Sequence, residues 1–146
     1  MEKGISFLQN IQEMFPGKAV DVRTYSPLTL AYIGDAVYDL IIRTVVVGKA
    51  NRPANDLHRI TVKYVSATAQ AKIVDCLMEE FTEEELSVYR RGKNAKPHTM
   101  AKNASPAEYL HATGFEAVLG YLYLTEQTDR ALELVRLGMQ KAGLSL

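Results

Sequence analysis

An all-α domain of six or seven helices is the fold class this sequence predicts, and three observations carry it. Apolar residues recur at helical spacing along nearly the whole chain instead of alternating. Four segments open on helix-start signatures, at Ser26-Pro27, Ser66, Thr82 to Glu85 and Ser105 to Glu108. The breaks fall at short turn-forming stretches, with no repeat, no low-complexity segment and no long linker, so residues 1–146 read as one domain.

Taken in order, residues 5–15 read as a short helix that ends before Pro16-Gly17. Val20 to Tyr25 is too short to assign. Ser26 as N-cap with Pro27 at the first helical position starts a helix expected to run to about Val47 and stop at Gly48. Asn51 to Asn55 reads as a loop, and from Asp56 the residues Leu57, Ile60, Tyr64 and Val65 follow helical spacing. Ser66 caps a further helix reaching Leu77 and Met78. Thr82-Glu83-Glu84-Glu85 is a capping box, whose helix should end near Gly92. An irregular basic loop is expected over residues 93–104. Ser105-Pro106-Ala107-Glu108 combines N-cap, Pro and Glu and starts the firmest helix of the chain. The last helix is expected from about Asp129 to Lys141.

Composition sets the class. Apolar residues are 47% and charged residues 23% of 146, ordinary values for a soluble globular domain with a real core. No run of 18 apolar residues predicts a membrane span, and the apolar stretch after Met1-Glu2-Lys3-Gly4 is too short for a secretory signal. The lone Cys76 cannot form an internal disulfide, which fits a reducing cytoplasm, and its apolar neighbours read as core. Net charge is zero, from 17 basic and 17 acidic residues, so only the distribution speaks for a polyanionic partner. From Tyr89 to Asn103 there is no acid, while Arg90, Arg91, Lys93, Lys96 and Lys102 fall there.

Two acids stand in apolar segments: Asp35 within Leu30 to Leu40, and Glu116 within Phe115 to Leu124. A lone carboxylate taken out of water costs several kcal/mol or keeps its proton, so such a pair calls for a cation. Asp39, four residues after Asp35, shares its face. Gly34 beside one acid, and Gly120 four residues after the other, predict that the two helices cross closely with small residues at the contact. Such a crossing brings Asp35 and Glu116 together. Oxygen ligands without histidine favour Mg²⁺ or Mn²⁺ over zinc. His58, His98 and His111 lack metal-ligand spacing. There is no phosphate-binding Gly-rich loop of the P-loop kind and no nucleophile–base pair. Each acid also has a plainer reading as a solvated helix position.

Leu30-Ala31-Tyr32-Ile33-Gly34-Asp35-Ala36-Val37 resembles the signature helix of the ribonuclease III catalytic domain. Phe115-Glu116-Ala117-Val118-Leu119-Gly120 is similar to that family's second metal-binding helix, and Arg91-Gly92-Lys93 to the Arg-Gly step between them. The order and spacing agree over about residues 26–140. With no RNA-binding module expected after Leu146, and the run Arg90 to Lys96, the chain is most similar to the Mini-III branch of the family. It departs from ordinary ribonuclease III at Ala31 and Thr113, where that family carries acids. The Mini-III branch shares the thinner set.

The resemblance implies an all-α endonuclease domain that forms a two-fold homodimer. The implied reaction is Mg²⁺-dependent hydrolysis of double-stranded RNA, with Mn²⁺ as a substitute, leaving 5′-phosphate and 3′-hydroxyl ends. Asp35 and Glu116 become the catalytic metal ligands, and Asp39 and Thr113 candidates to orient a water. Arg90, Arg91, Lys93, Asn94, Lys96 and Lys102 become the RNA-binding segment. Tyr32, Ile33 and Val37 are candidates to face the partner copy. The implied substrate is the duplex stalk of precursor 23S ribosomal RNA, with a ribosomal protein helper as a further partner. The competing readings are a catalytically silent RNA-binding relative in ribosome assembly, favoured by Ala31 and Thr113, and a helical interaction protein without RNA.

Overall fold

The computed structural model describes residues 6–95 and 105–146. Seven α-helices form from these residues, and no strand is found among them. They are α1 (Phe7–Met14), α2 (Pro27–Lys49), α3 (Ala54–Val65), α4 (Ala67–Asp75), α5 (Glu83–Lys93), α6 (Pro106–Leu124) and α7 (Thr128–Lys141). The unassigned stretch before α2 holds one 3₁₀ turn, Val22–Thr24, capped by the Asp21 carboxylate accepting from the Arg23 amide at 3.0 Å.

The helix starts are the capped ones. Ser26, Ser66, Thr82 and Ser105 each accept from the amide three residues on, and Thr82–Glu85 and Ser105–Glu108 are reciprocal capping boxes. Ser6 with Gln9 adds a third box, at α1. The bounds differ at three places. α2 continues through Gly48 to Lys49, because Val46 is buried and anchors the last turn. α3 starts at Ala54, where the Pro53 carbonyl accepts from Asp56 and Leu57. α4 gives way at Asp75 to turns before Leu77 and Met78.

α6 is the axis of the fold. From Ala112 to Leu122 every residue except Glu116 is buried, and α2, α4, α5 and α7 pack around it. A helix apolar on all sides must be surrounded. Tyr38 of α2 meets Phe115 edge-on at 5.6 Å between ring centres, and its hydroxyl donates to the Tyr64 carbonyl at 2.6 Å, tying α2 to the end of α3.

α2 and α6 touch backbone to backbone. A Cβ on Gly34 would lie 1.7 Å from the Glu116 carbonyl oxygen, and one on Gly120 would lie 1.9 Å from that of Leu30. No side chain fits either position, so the two glycines set how closely the helices approach. α5 is seated likewise: a Cβ on Gly92 would stand 2.8 Å from the Ala117 Cβ, and one on Gly114 2.8 Å from the Tyr89 carbonyl oxygen.

Candidate metal centre and RNA-facing helix end

The crossing at Gly34 decides the site. Gly34 contacts the backbone of Glu116, and Asp35 is the next residue, so the two acids are delivered to one place by the tightest contact in the fold. Their side chains are close enough for Asp35 to act on the ionisation of Glu116. The Glu116 carboxyl is pushed up to about 9, first by burial, then by the hydrogen bond and like charge of Asp35. Asp35 itself is exposed in the single chain. The sequence suggested that both acids leave water. Glu116 is half-buried, whereas Asp35 stands on a side of α2 that also exposes Tyr32 and Ala36.

A third group was not anticipated. Gln70 of α4 is 3% exposed, and its Nε2 donates to the Val65 carbonyl at 3.0 Å and toward Glu116 Oε2 at 3.4 Å. Its Oε1 is buried and has no hydrogen-bond partner among the described residues. The local fold explains its position. Ser66 ends α3 and caps α4 through its Oγ, which accepts from Ala69 at 3.2 Å, so the chain turns sharply and sets Gln70 beside the Val65 carbonyl. The available signal was a long amide flanked by Ala69 and Ala71.

These residues fit a hard divalent cation. The donors are all oxygen: two carboxylates and an orphaned amide carbonyl. Two like-charged acids, one of them partly buried, need a counter-charge to ionise together. The set is thin, since no cluster of three or more His, Cys, Asp or Glu suited to a metal is found among the described residues. That matches the absence of acids at Ala31 and Thr113.

The other candidates are engaged elsewhere. Asp39 pairs with Arg43 at 2.8 Å, and the buried Thr113 donates its hydroxyl to the Tyr109 carbonyl at 2.9 Å. Tyr38 loses its proton less readily than a free phenol, because burial disfavours the anion and Glu116 adds like charge.

The basic segment begins on a helix. α5 runs through Lys93 and places Arg90, Arg91 and Lys93 in its last turn, where cations suit the helix dipole. The expected loop therefore starts later, after Asn94, whose amide caps the helix by donating to Arg90 at 3.0 Å. Arg90, Arg91 and Asn94 are exposed, and Arg91 donates to the Tyr25 carbonyl at 3.3 Å. Lys96 and Lys102 lie outside the described residues. Because Gly92 packs on Gly114 and Ala117, which flank Glu116, this basic turn is held beside the acid-bearing stretch of α6. Arg52, His58, Arg59 and Lys63 are exposed on and before α3, with Arg59 paired to Asp56.

Comparison with known proteins gives one answer. The model of the Ribonuclease III domain family matches residues 28–127. A Mini-ribonuclease 3 of Symbiobacterium thermophilum is 50% identical over 113 residues, 77% of this chain and 87% of that one. A Mini-ribonuclease 3 of a Thermoanaerobacter species is 45% identical over 141 residues, covering 96% and 97%. A Fusobacterium nucleatum protein of known crystal structure superposes with a TM-score of 0.75 at 28% identity, covering 84% of this chain and 98% of that one.

Proposed function

The chain belongs to the ribonuclease III family, within its Mini-ribonuclease III branch, and is an endoribonuclease; we propose that it cleaves double-stranded RNA with Mg²⁺. The observation that carries this reading is the acid pair at the α2–α6 crossing, set beside a basic helix end. Asp35 and Glu116 are the residues that hold the cation, Asp35 from the open side and Glu116 from within. When bound, Mg²⁺ supplies an acidified water as nucleophile and neutralises charge that develops on the phosphate. Asp35, being exposed, is reachable by a phosphodiester laid across the surface. Arg90, Arg91 and Lys93 neutralise neighbouring phosphates and orient the backbone over the acids. A compact domain reads an A-form duplex by shape and 2′-hydroxyls.

Retention of both Asp35 and Glu116 favours an active enzyme over a silent RNA-binding relative. The natural RNA in this reading is the duplex stalk of precursor 23S ribosomal RNA, in the cytoplasm, an assignment that rests on the branch of the family. No helix among the described residues is long and apolar enough to cross a membrane.

One acid pair cuts one strand, so a two-fold dimer serves the two strands of a duplex. The outer face of α2 supports this. Tyr32, Leu40 and Val47 are exposed on it, Tyr32 at 82%, with Ile33 and Val37 half-buried beside them. A monomer mass in solution at micromolar concentration would contradict the dimer.

The test of the activity is direct. Long duplex RNA is incubated with the protein and Mg²⁺, beside an EDTA control and the Asp35→Asn variant. Cleavage is expected only with the wild type and the ion. Cleavage that survives Asp35→Asn would sink the assignment, and binding without cleavage by the wild type would favour the silent module.

A further inference from the structure

Gln70 is the least satisfied polar group in the described core. The residue is 3% exposed, one end of its amide is held by two acceptors, and the other end, Oε1, has no hydrogen-bond partner among the described residues. Leaving a buried carbonyl oxygen without a partner costs about 1–3 kcal/mol, so orphaned acceptors in native folds call for an explanation. The Val65 and Glu116 contacts account for the Nε2 end of the amide and leave the Oε1 end without a role.

The placement supplies the explanation. Nε2 and Oε1 share one amide carbon, so the orphaned oxygen lies within a single amide group of the Glu116 carboxylate. The amide cannot drift, because its Nε2 is anchored to the Val65 carbonyl at 3.0 Å, at the turn fixed by Ser66. The amide is therefore fixed next to Glu116, with one oxygen acceptor still uncommitted.

We propose that Gln70 is a positioning residue of the divalent-cation site, whose Nε2 holds the Glu116 carboxylate and whose Oε1 is an added oxygen donor to the ion. The proposal rests on reading Asp35 and Glu116 as the cation site, and it makes up part of the deficit left by Ala31 and Thr113. Amide carbonyls are regular partners of hard cations, and supporting groups around a metal typically contribute about 10–100-fold to its affinity. Gln70 reaches Glu116 from α4, so the centre draws on three helices instead of two.

Mn²⁺ binding to the RNA-free protein, read by calorimetric titration, tests this without any cleavage assay. Gln70→Met keeps the volume and removes both polar ends. It is expected to weaken Mn²⁺ binding about tenfold, while the metal-free protein stays folded, its melting temperature lowered by no more than the lost Val65 hydrogen bond accounts for. Unchanged Mn²⁺ affinity in a folded Gln70→Met protein would overturn the proposal. Should that variant fail to fold, Gln70→Glu decides. It keeps an oxygen donor, adds like charge and loses the amide donor to Glu116. It should melt lower than the wild type without metal and gain more from Mn²⁺. A gain from Mn²⁺ no larger than the wild type's would overturn the proposal. Asp35→Asn and Glu116→Gln run in the same titration separate the two levels. If they bind Mn²⁺ like the wild type, the acid pair is not the cation site. If they lose Mn²⁺ while Gln70→Met does not, only the role of Gln70 fails.

Discussion

Glu85 and Glu116 are carboxylates set into packed helices, and the fold treats them in opposite ways. Glu85, 4% exposed, is clasped by Arg130, with Nε on one oxygen and Nη2 on the other, both at 2.9 Å. The Thr82 amide donates to it as well, at 2.9 Å. Burial alone would raise the Glu85 carboxyl, but Arg130 and Thr82 outweigh it and hold the group below its ordinary range. Around Glu116 the described neighbours are another acid and an amide, and its carboxyl rises to about 9. The first charge is answered from within the chain, by a cation 45 residues away. The second carboxyl keeps its proton near neutrality, because burial and the neighbouring Asp35 both disfavour its anion. A buried acid with its own cation belongs to the fold, and one without it is a candidate site.

Replacing each acid by its amide is the strongest way to break that contrast. Glu116→Gln should reduce duplex cleavage to the level of the EDTA control, while urea unfolding without metal stays within about 1 kcal/mol of the wild type. A loss of stability with cleavage retained would reverse the roles. Next in size is the crossing that presents Glu116. Gly34→Ala forces a methyl onto the Glu116 carbonyl, 1.7 Å away. It should cost about 3 kcal/mol despite the roughly 1 kcal/mol gain in helix propensity, and cleavage should fall with it. Unperturbed unfolding would show that the helices part easily.

Glu85→Gln should destabilise by about 2–3 kcal/mol, because it leaves the Arg130 charge underpaired, while cleavage by the folded fraction persists. The capping box is kept, since glutamine serves at that position. The pH dependence has a definite sign. The folded Glu85 carboxyl lies below its ordinary value of 4.5, so its stabilisation is full above that pH and lost as pH falls through the folded value. Acid unfolding of the wild type should be steep there, and shallower in Glu85→Gln. An equal acid limb in both would remove the ion pair from the account.

The smallest expected effect lies on the surface. Arg90→Ala with Lys93→Ala should flatten the salt dependence of RNA binding by roughly two phosphate contacts. An unchanged slope would leave those charges to the α5 dipole alone.

Much of the fold was legible because helix starts are local. Ser26, Thr82 and Ser105 bond to amides three residues away, so residues adjacent in sequence specify them. The glycine pair was legible too, since Gly34 and Gly120 inside helices have no purpose except close approach, and both lie at the α2–α6 contact. The exposure of Asp35 was not legible, because its apolar neighbours Tyr32 and Ala36 are exposed with it, so apolar context did not mean burial on that side of α2.

By itself, then, the sequence determined the all-helical class, the helix starts and the two acids brought together by the glycine crossing. Only the tertiary structure decided which charges are compensated. The pairing of Arg130 with Glu85 and the approach of Gln70 to Glu116 join residues 45 and 46 apart, on separate helices. Such contacts follow from how helices pack, and no spacing along one helix encodes them. The same packing sets the Gln70 amide next to Glu116 and leaves its Oε1 unpaired among the described residues.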